Sequence, residues 1–456
     1  MIQNRAIRVV ATGARLLAGV VIAVGCVAGV VAAVALPWPG LTNTPAQQSV
    51  VPAAADTTLV CTGDFRAVGR NSQDATQQFS AGSPSLTVES SGPREDTSLE
   101  APELGGSGGP QRFVGSAEQG ESALVAAAET VSIAADDLSG LAASACREAR
   151  TESWLVGGTV ETGTSDLILL SNPGDVTATV TLTVFGIEQT ASTVLVPAGT
   201  QQSVPLASVA AGTQAPVVRV TAAGAPVRAV LQSSLIRTLD PSGIDLQDTT
   251  GAPSDRIGFA GVQVPDTSED TALTVLRLMA TEQAAQVRVS ARAAGETVWE
   301  TDVELEAATP TEISLSGLEP GVYSVEIESD ASLVGAIRQT TRPGAGSDFA
   351  WMTSAPDIRG EVLAAVPAGP GPRLHIVNAG DEDAVVTIET ASGGDQREID
   401  VPAGEDAVVK VSADTAYAIR SDAPVRVAVM LSGTDAVAGW PVWPGPAARE
   451  PIVVYP

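Results

Sequence analysis

The 456 residues carry 53 acidic against 25 basic side chains, a net charge of −28, and are 44% hydrophobic but only 3% aromatic. Such a field repels nucleic-acid phosphates and anionic lipid headgroups, which argues against binding either through a basic patch. The supply of Val, Ala and Leu is ample for buried cores, and a single histidine, His375, a single lysine, Lys410, and three cysteines leave little for catalysis or metal ligation. No enzyme, cofactor or metal site is therefore expected.

Arg5, Arg8 and Arg15 precede LLAGVVIAVGCVAGVVAAVAL, an uncharged run from Leu16 to Leu36. As a helix it would be about 31 Å long, enough to cross a bilayer. The next basic residue is Arg66, so the charge asymmetry predicts residues 1–15 in the cytoplasm, a transmembrane helix over 16–36 and the bulk of the chain outside. Trp38 falls where an interfacial ring belongs. Ala33-Val34-Ala35 offers a signal-cleavage site, and Cys26 a lipoprotein acylation site. The apolar run is long for the first and continues past Cys26 against the second, so an uncleaved anchor is expected. Residues 37–56, rich in Pro, Ala, Thr and Gln, read as a stalk linker.

Cys61 and Cys146 form an even pair in an oxidising location, and a disulfide is predicted. It would contribute roughly 4 kcal/mol by restricting the unfolded chain. Free buried thiols are the alternative. Residues 57–150 read as an irregular N-terminal β region, in which the segment from Ser122 to Leu138 fits an Ala-rich helix or a strand.

Beyond Trp154 the period is two. Val176, Ala178, Val180, Leu182 and Val184 alternate with threonines. Val287, Val289 and Ala291 alternate with Arg288, Ser290 and Arg292, and Val425, Val427 and Val429 with Arg426, Ala428 and Met430. The strands recur in one order. An opening strand starts at Asp166, Thr274 and Arg373, and its first and third copies end in the turns Asn172-Pro173-Gly174-Asp175 and Asn378-Ala379-Gly380-Asp381. A VPAG turn follows at 196–199 and 401–404, and closing strands begin at Ala225, Ser332 and Ala423, with Ala225, Ala331 and Ala423 as equivalent positions. Units of about 100 residues with short strands and Gly/Pro turns match β-sandwiches. The fold class expected is all-β: tandem β-sandwich-like (immunoglobulin-like) domains after a single N-terminal transmembrane helix. The repeats fall at 151–240, 255–342 and 347–456, the last with a Pro-rich tail.

The segment SWLVGGTVETGTSDLILLSNPGDVTATVTLTVFG, the VPAG turns, the APVR closing strand, SDFAW at 347–351 and a membrane segment ahead of the CTG at Cys61 resemble an actinobacterial family catalogued as domain of unknown function 5719. The resemblance spans most of 57–456. The middle repeat departs from it, with Ala280-Thr281-Glu282 in place of the Asn turn. It implies an anchored or secreted protein, whose gene often lies beside that of a membrane glycosyltransferase, and no established catalytic residues.

Each chemical motif has a plainer reading. Gly105-Gly106-Ser107-Gly108-Gly109 fits G-x-S-x-G, but Pro102 and Pro110 bracket it as a loop rather than a strand-to-helix elbow. His375 would have to serve any Ser-His-Asp site. Leu374 and Ile376 take the core face, so His375 is expected to point outward with Arg373 and Val377. Lys410 reads as a solvated strand lysine, and Asp381-Glu382-Asp383 as a hairpin tip rather than a calcium loop. Of the extracytoplasmic tryptophans, Trp154 and Trp351 read as plugs between domains. Trp299, Trp440 and Trp443 complete the set, and Trp440 and Trp443, in GWPVWPGP, offer a candidate ligand or partner surface.

The function expected is a non-catalytic scaffold at the cell envelope, bound to an unknown protein or glycan or serving as accessory to a membrane glycosyltransferase. A cell-wall carbohydrate-binding module is the alternative, and it requires tryptophans lining one exposed groove.

Overall fold

The structure, a computed structural model, describes residues 3–35, 48–50, 54–445 except 75, 107, 119, 267–272 and 395, and 452–454. Two compact units emerge, 1–52 with 450–456 and 53–449. The first contains the helix Gln3–Ala35 and an antiparallel pairing of Gln48–Val50 with Ile452–Val454. Inside the helix the described side chains are those of Gly13 and residues 16–32, all exposed. Among the described residues no helix is long and apolar enough to cross a membrane. Trp38, most of the stalk segment, Ser107 and residues 446–451 lie outside the described residues.

The second unit is built from strands. Residues 54–150 form three small antiparallel sheets. The ambiguous segment after Ser122 is strand, Val125–Ala135 paired with Leu138–Ala145. Its Ala and Val side chains lie against neighbours on both faces, which a solitary helix would leave half wet.

Three sandwich modules follow. In the first, two four-stranded sheets enclose Leu155, Ile168, Leu170, Val180, Leu182, Val218 and Val220. Here the predicted alternation holds from Ala178 to Val184, while Val176 is exposed, one turn residue short of the strand Ala178–Phe185. In the second and third modules a single long strand, Gly321–Thr340 or Thr415–Ser432, runs through both layers. Its first half pairs with Ser254–Val264 or Asp357–Val366, and its second half with Val275–Ala280 or Arg373–Val377. The first module splits the equivalent strand into Val217–Ala223 and Arg228–Arg237. Gly224 sits at the break with φ +92, where a Cβ would stand 2.7 Å from the Thr177 carbonyl oxygen.

The Asn turns of the first and third modules are superposable in their bonding. Asn172 donates through Nδ2 to the carbonyls of Val176 and Val196 and accepts from the Gly174 N–H. Asn378 donates to Glu382 and Val401 and accepts from Gly380. Both amides are buried and fully used, so each locks a turn to the following hairpin.

The N-terminal region and the three modules each contribute one late strand: Leu138–Ala145, Asp240–Asp248, Phe349–Thr353 and Val437–Pro441. Phe349–Thr353 pairs with the second module's long strand. These four edges pack one against the next in a closed circuit, which hides strand edges that would otherwise invite foreign pairing.

Candidate functional site: the junctions between modules

At the centre of that circuit lies Asp348, fully buried. Its carboxylate accepts the backbone N–H of Leu141 at 3.0 Å, of Ile244 at 3.2 Å and of Val437 at 3.1 Å, one from each of the other three edge strands. Close approach is possible because Gly140 (φ +145) and Gly243 (φ +114) flank it; a Cβ on either would meet its Oδ1 within 3 Å. Burial pushes the carboxyl up to about 7, against the pull of the N–H donors. Asp245, which accepts the Trp351 N–H at 2.8 Å, is likewise raised by burial.

Buried arginines cross the junctions. Arg66 of the N-terminal region and Gln232 of the first module exchange backbone-to-amide hydrogen bonds of 2.8 and 2.9 Å. Arg228 returns the contact, donating to the carbonyls of Val60 and Ala145. Arg277 of the second module reaches the carbonyls of Gly158 and Pro216 in the first, each at 2.9 Å, and pairs with Glu312 at 2.8 Å. Arg426 of the third binds Glu326 of the second and Asp357 at 2.9 Å. Arg228 and Arg426 are the last residues of the two APVR motifs. The repeated arginine thus marks a place where one module grips another, a signal present in the sequence as a charged residue recurring on an otherwise apolar strand. In the middle repeat the equivalent residue is Val334, inside an apolar junction with Trp154, Val156, Phe185, Met279 and Trp351.

His375 does not point to solvent as the alternation implied. It is buried with Val377, because the outer face of its strand packs on the second module. Gly261 (φ +82) lies against its ring so closely that a Cβ would come within 2.8 Å. Burial, with Arg373 second, lowers the imidazole to about 4, so it is neutral at physiological pH.

Trp154 and Trp351 plug the junction between the first two modules, and Trp440 belongs to the core of the third. Trp299 packs at the edge of the second module's core. Trp443 is half-buried, with the Arg147 guanidinium 3.5 Å and that of Arg150 4.9 Å from its ring centroid. Arg147 in turn binds Asp248 at 3.0 Å, and burial lowers it to about 10. The tail therefore latches the third module to the N-terminal region. Trp440 and Trp443 line one cleft together with Arg147 and Arg150, Trp440 buried in its wall and Trp443 half-buried.

Cys61 and Cys146 are disulfide-bonded across 85 residues. Lys410 and Asp381-Glu382-Asp383 are exposed, and no group of His, Cys, Asp or Glu fit to hold a metal occurs among the described residues. Around Ser107 the chain runs from a short 3-10 turn, Pro102–Leu104, into a glycine loop, without the helix a nucleophile elbow needs.

The profile of the family of unknown function DUF5719 matches residues 101–429. The chain belongs to that family. The match takes in all three sandwich modules up to the long closing strand of the last, including both APVR motifs and Asp348. None of the curated proteins compared matches the chain. Among solved structures, the FN1–FN3 domains of chicken CNTN1 align at 9% identity over 66% of this chain and 97% of theirs, with a TM-score of 0.12. A tetra-tandem repeat from the extending region of a large adhesion protein aligns at 13% identity over 87% of this chain and 94% of its own, with a TM-score of 0.11. At those scores neither pairing bears on the fold or function of this family member.

Proposed function

We propose that the protein is a single-pass envelope scaffold, amino terminus inside and strand-built bulk outside, that holds or spaces a partner without performing catalysis itself. Three arginines ahead of Leu16–Leu36 and none after it until Arg66 support the orientation. The exposed Leu16, Leu17, Val20, Val21 and Ile22 side chains suit contact with acyl chains. A disulfide suits an oxidising compartment. The observation that carries the scaffold reading is the use made of the polar groups: Asp348, Arg66, Arg228, Arg277 and Arg426 are spent on fixing modules to one another. The proposed partner is an envelope protein or glycan, with a membrane glycosyltransferase as the specific candidate.

Lys410 makes the orientation testable. As the sole lysine, and exposed, it should carry the label of a membrane-impermeant amine reagent applied to intact cells, read at Lys410 itself by peptide mass spectrometry so that the α-amine does not count, and labelling of Lys410 only after permeabilisation refutes the proposal. Crosslinking on intact cells followed by affinity recovery tests the scaffold role, and repeated recovery of the chain alone counts against it. The alternative of a tryptophan-lined glycan groove is disfavoured by the burial of Trp154, Trp351 and Trp440.

A further inference from the structure

The outermost strand of each sandwich module stands at one place in the topology. Thr190–Val196 pairs with Ala178–Phe185, Glu296–Leu305 with Ala285–Ala293, and Arg397–Val401 with Ala384–Thr390, and each ends its sheet. Half of the backbone N–H and C=O groups on such a strand face away from its neighbour, a row that recruits foreign strands unless charge, proline or a cover blunts it. The second and third modules use charge: Glu296, Glu300, Asp302 and Glu304 on one strand, Arg397, Glu398 and Asp400 on the other. Thr190–Val196 is TASTVLV, with neither a charge nor a proline.

The contrast extends past the strand. Between Asp175 and Arg219 the sole charged residue is Glu188, in a protein that is 17% charged. Glu188 sits on the hairpin tip next to Ile187, which is 86% exposed, and Leu195 and Val176 are exposed at the hairpin's open end. Ala191 and Thr193, along the strand itself, are exposed as well. Thr190 donates its hydroxyl to the Val209 carbonyl at 3.3 Å. Among the described residues the backbone of 191–195 bonds only to Ala178–Phe185, so the outward row is unpaired.

A second copy of the chain fits that edge. Two molecules of net charge −28 repel each other over most of their surface, and the neutral strand is where they can approach. Antiparallel pairing about Thr193 is its own complement: Ala191 comes opposite Leu195 and Ser192 opposite Val194, small against large on each face. We propose that Thr190–Val196 is an interface between two copies of this chain, joined edge to edge as antiparallel strands about Thr193. It goes beyond the scaffold reading and does not depend on it. A seven-residue edge buries less than a standard interface, so the association is weak, with a Kd on the order of 10 µM.

Sedimentation equilibrium of the full-length protein in detergent, carried to about tenfold above that Kd, tests the proposal. Reversible dimers are expected, and they should tighten as added salt screens the repulsion between the two chains. Thr193→Lys and Thr193→Glu each set like charges face to face and should weaken the dimer about tenfold or more. An equimolar mixture of the two variants should restore it by bringing opposite charges together, which also shows that both variants fold. On intact cells, a photoreactive residue at position 193 should crosslink to a second copy. A wild type that stays monomeric, dimers that loosen with salt or ignore both variants, a mixture no tighter than its components, or crosslinks to a different protein alone each overturns the proposal.

Discussion

Replacing Asp348 with alanine strips the acceptor from three buried N–H groups on three different edge strands. At about 1–3 kcal/mol for each orphaned donor, partly offset by water entering the gap, a loss of about 4 kcal/mol is expected at pH 5. The pH dependence gives a second reading. The native carboxyl titrates near 7 against an ordinary 3.8. A raised acid contributes stability that is full below pH 3.8 and is lost as pH rises through 7. The wild type should therefore shed about 2.5 kcal/mol of its advantage over the alanine variant between pH 5 and pH 8. Urea unfolding of the full-length protein, followed by tryptophan fluorescence with Trp351 as a neighbouring reporter, measures both. A loss below about 1 kcal/mol at pH 5, or an advantage that grows toward pH 8, refutes the assignment of Asp348 as the protonated central acceptor.

Asn172→Ala and Asn378→Ala should each cost about 2–3 kcal/mol, because each leaves carbonyls and an N–H unmatched in a buried turn, whereas the middle repeat already carries Ala280 at the equivalent position; denaturation midpoints decide. Replacing both Cys61 and Cys146 by serine should lower stability by about 4 kcal/mol, read as an earlier unfolding midpoint that reducing agent no longer shifts. Arg426→Ala strands Glu326 as a buried charge, at a cost of about 3–5 kcal/mol. In that variant hydrogen exchange should rise first along Ser254–Val264 and Asp357–Val366, and protection unchanged there would contradict the junction role.

Much of the fold was legible because inward-facing residues obey a period of two. Val180 and Leu182, or Val287 and Val289, declare their face whatever lies outside the module. The repeat order and the Asn turns were legible for the same local reason. The junctions were not, since alternation says which residues oppose the core but not whether the other face meets water or a second sheet. His375 is the clear case. The hint was on its partner strand, where Ala428 and Met430 sit on the supposedly wet side. Asp348 carried no local signal, because its three donors come from strands up to 207 residues away.

The circuit of edge strands sets an order on biogenesis. A ribosome delivers the amino end first, so three of the four edges are made while Val437–Pro441 is still to come. Until that last segment emerges, Asp348 lacks one donor, the third module has no Trp443 latch, and Leu138–Ala145 keeps a bare flank. Truncation near the carboxy terminus should therefore be felt across the whole assembly.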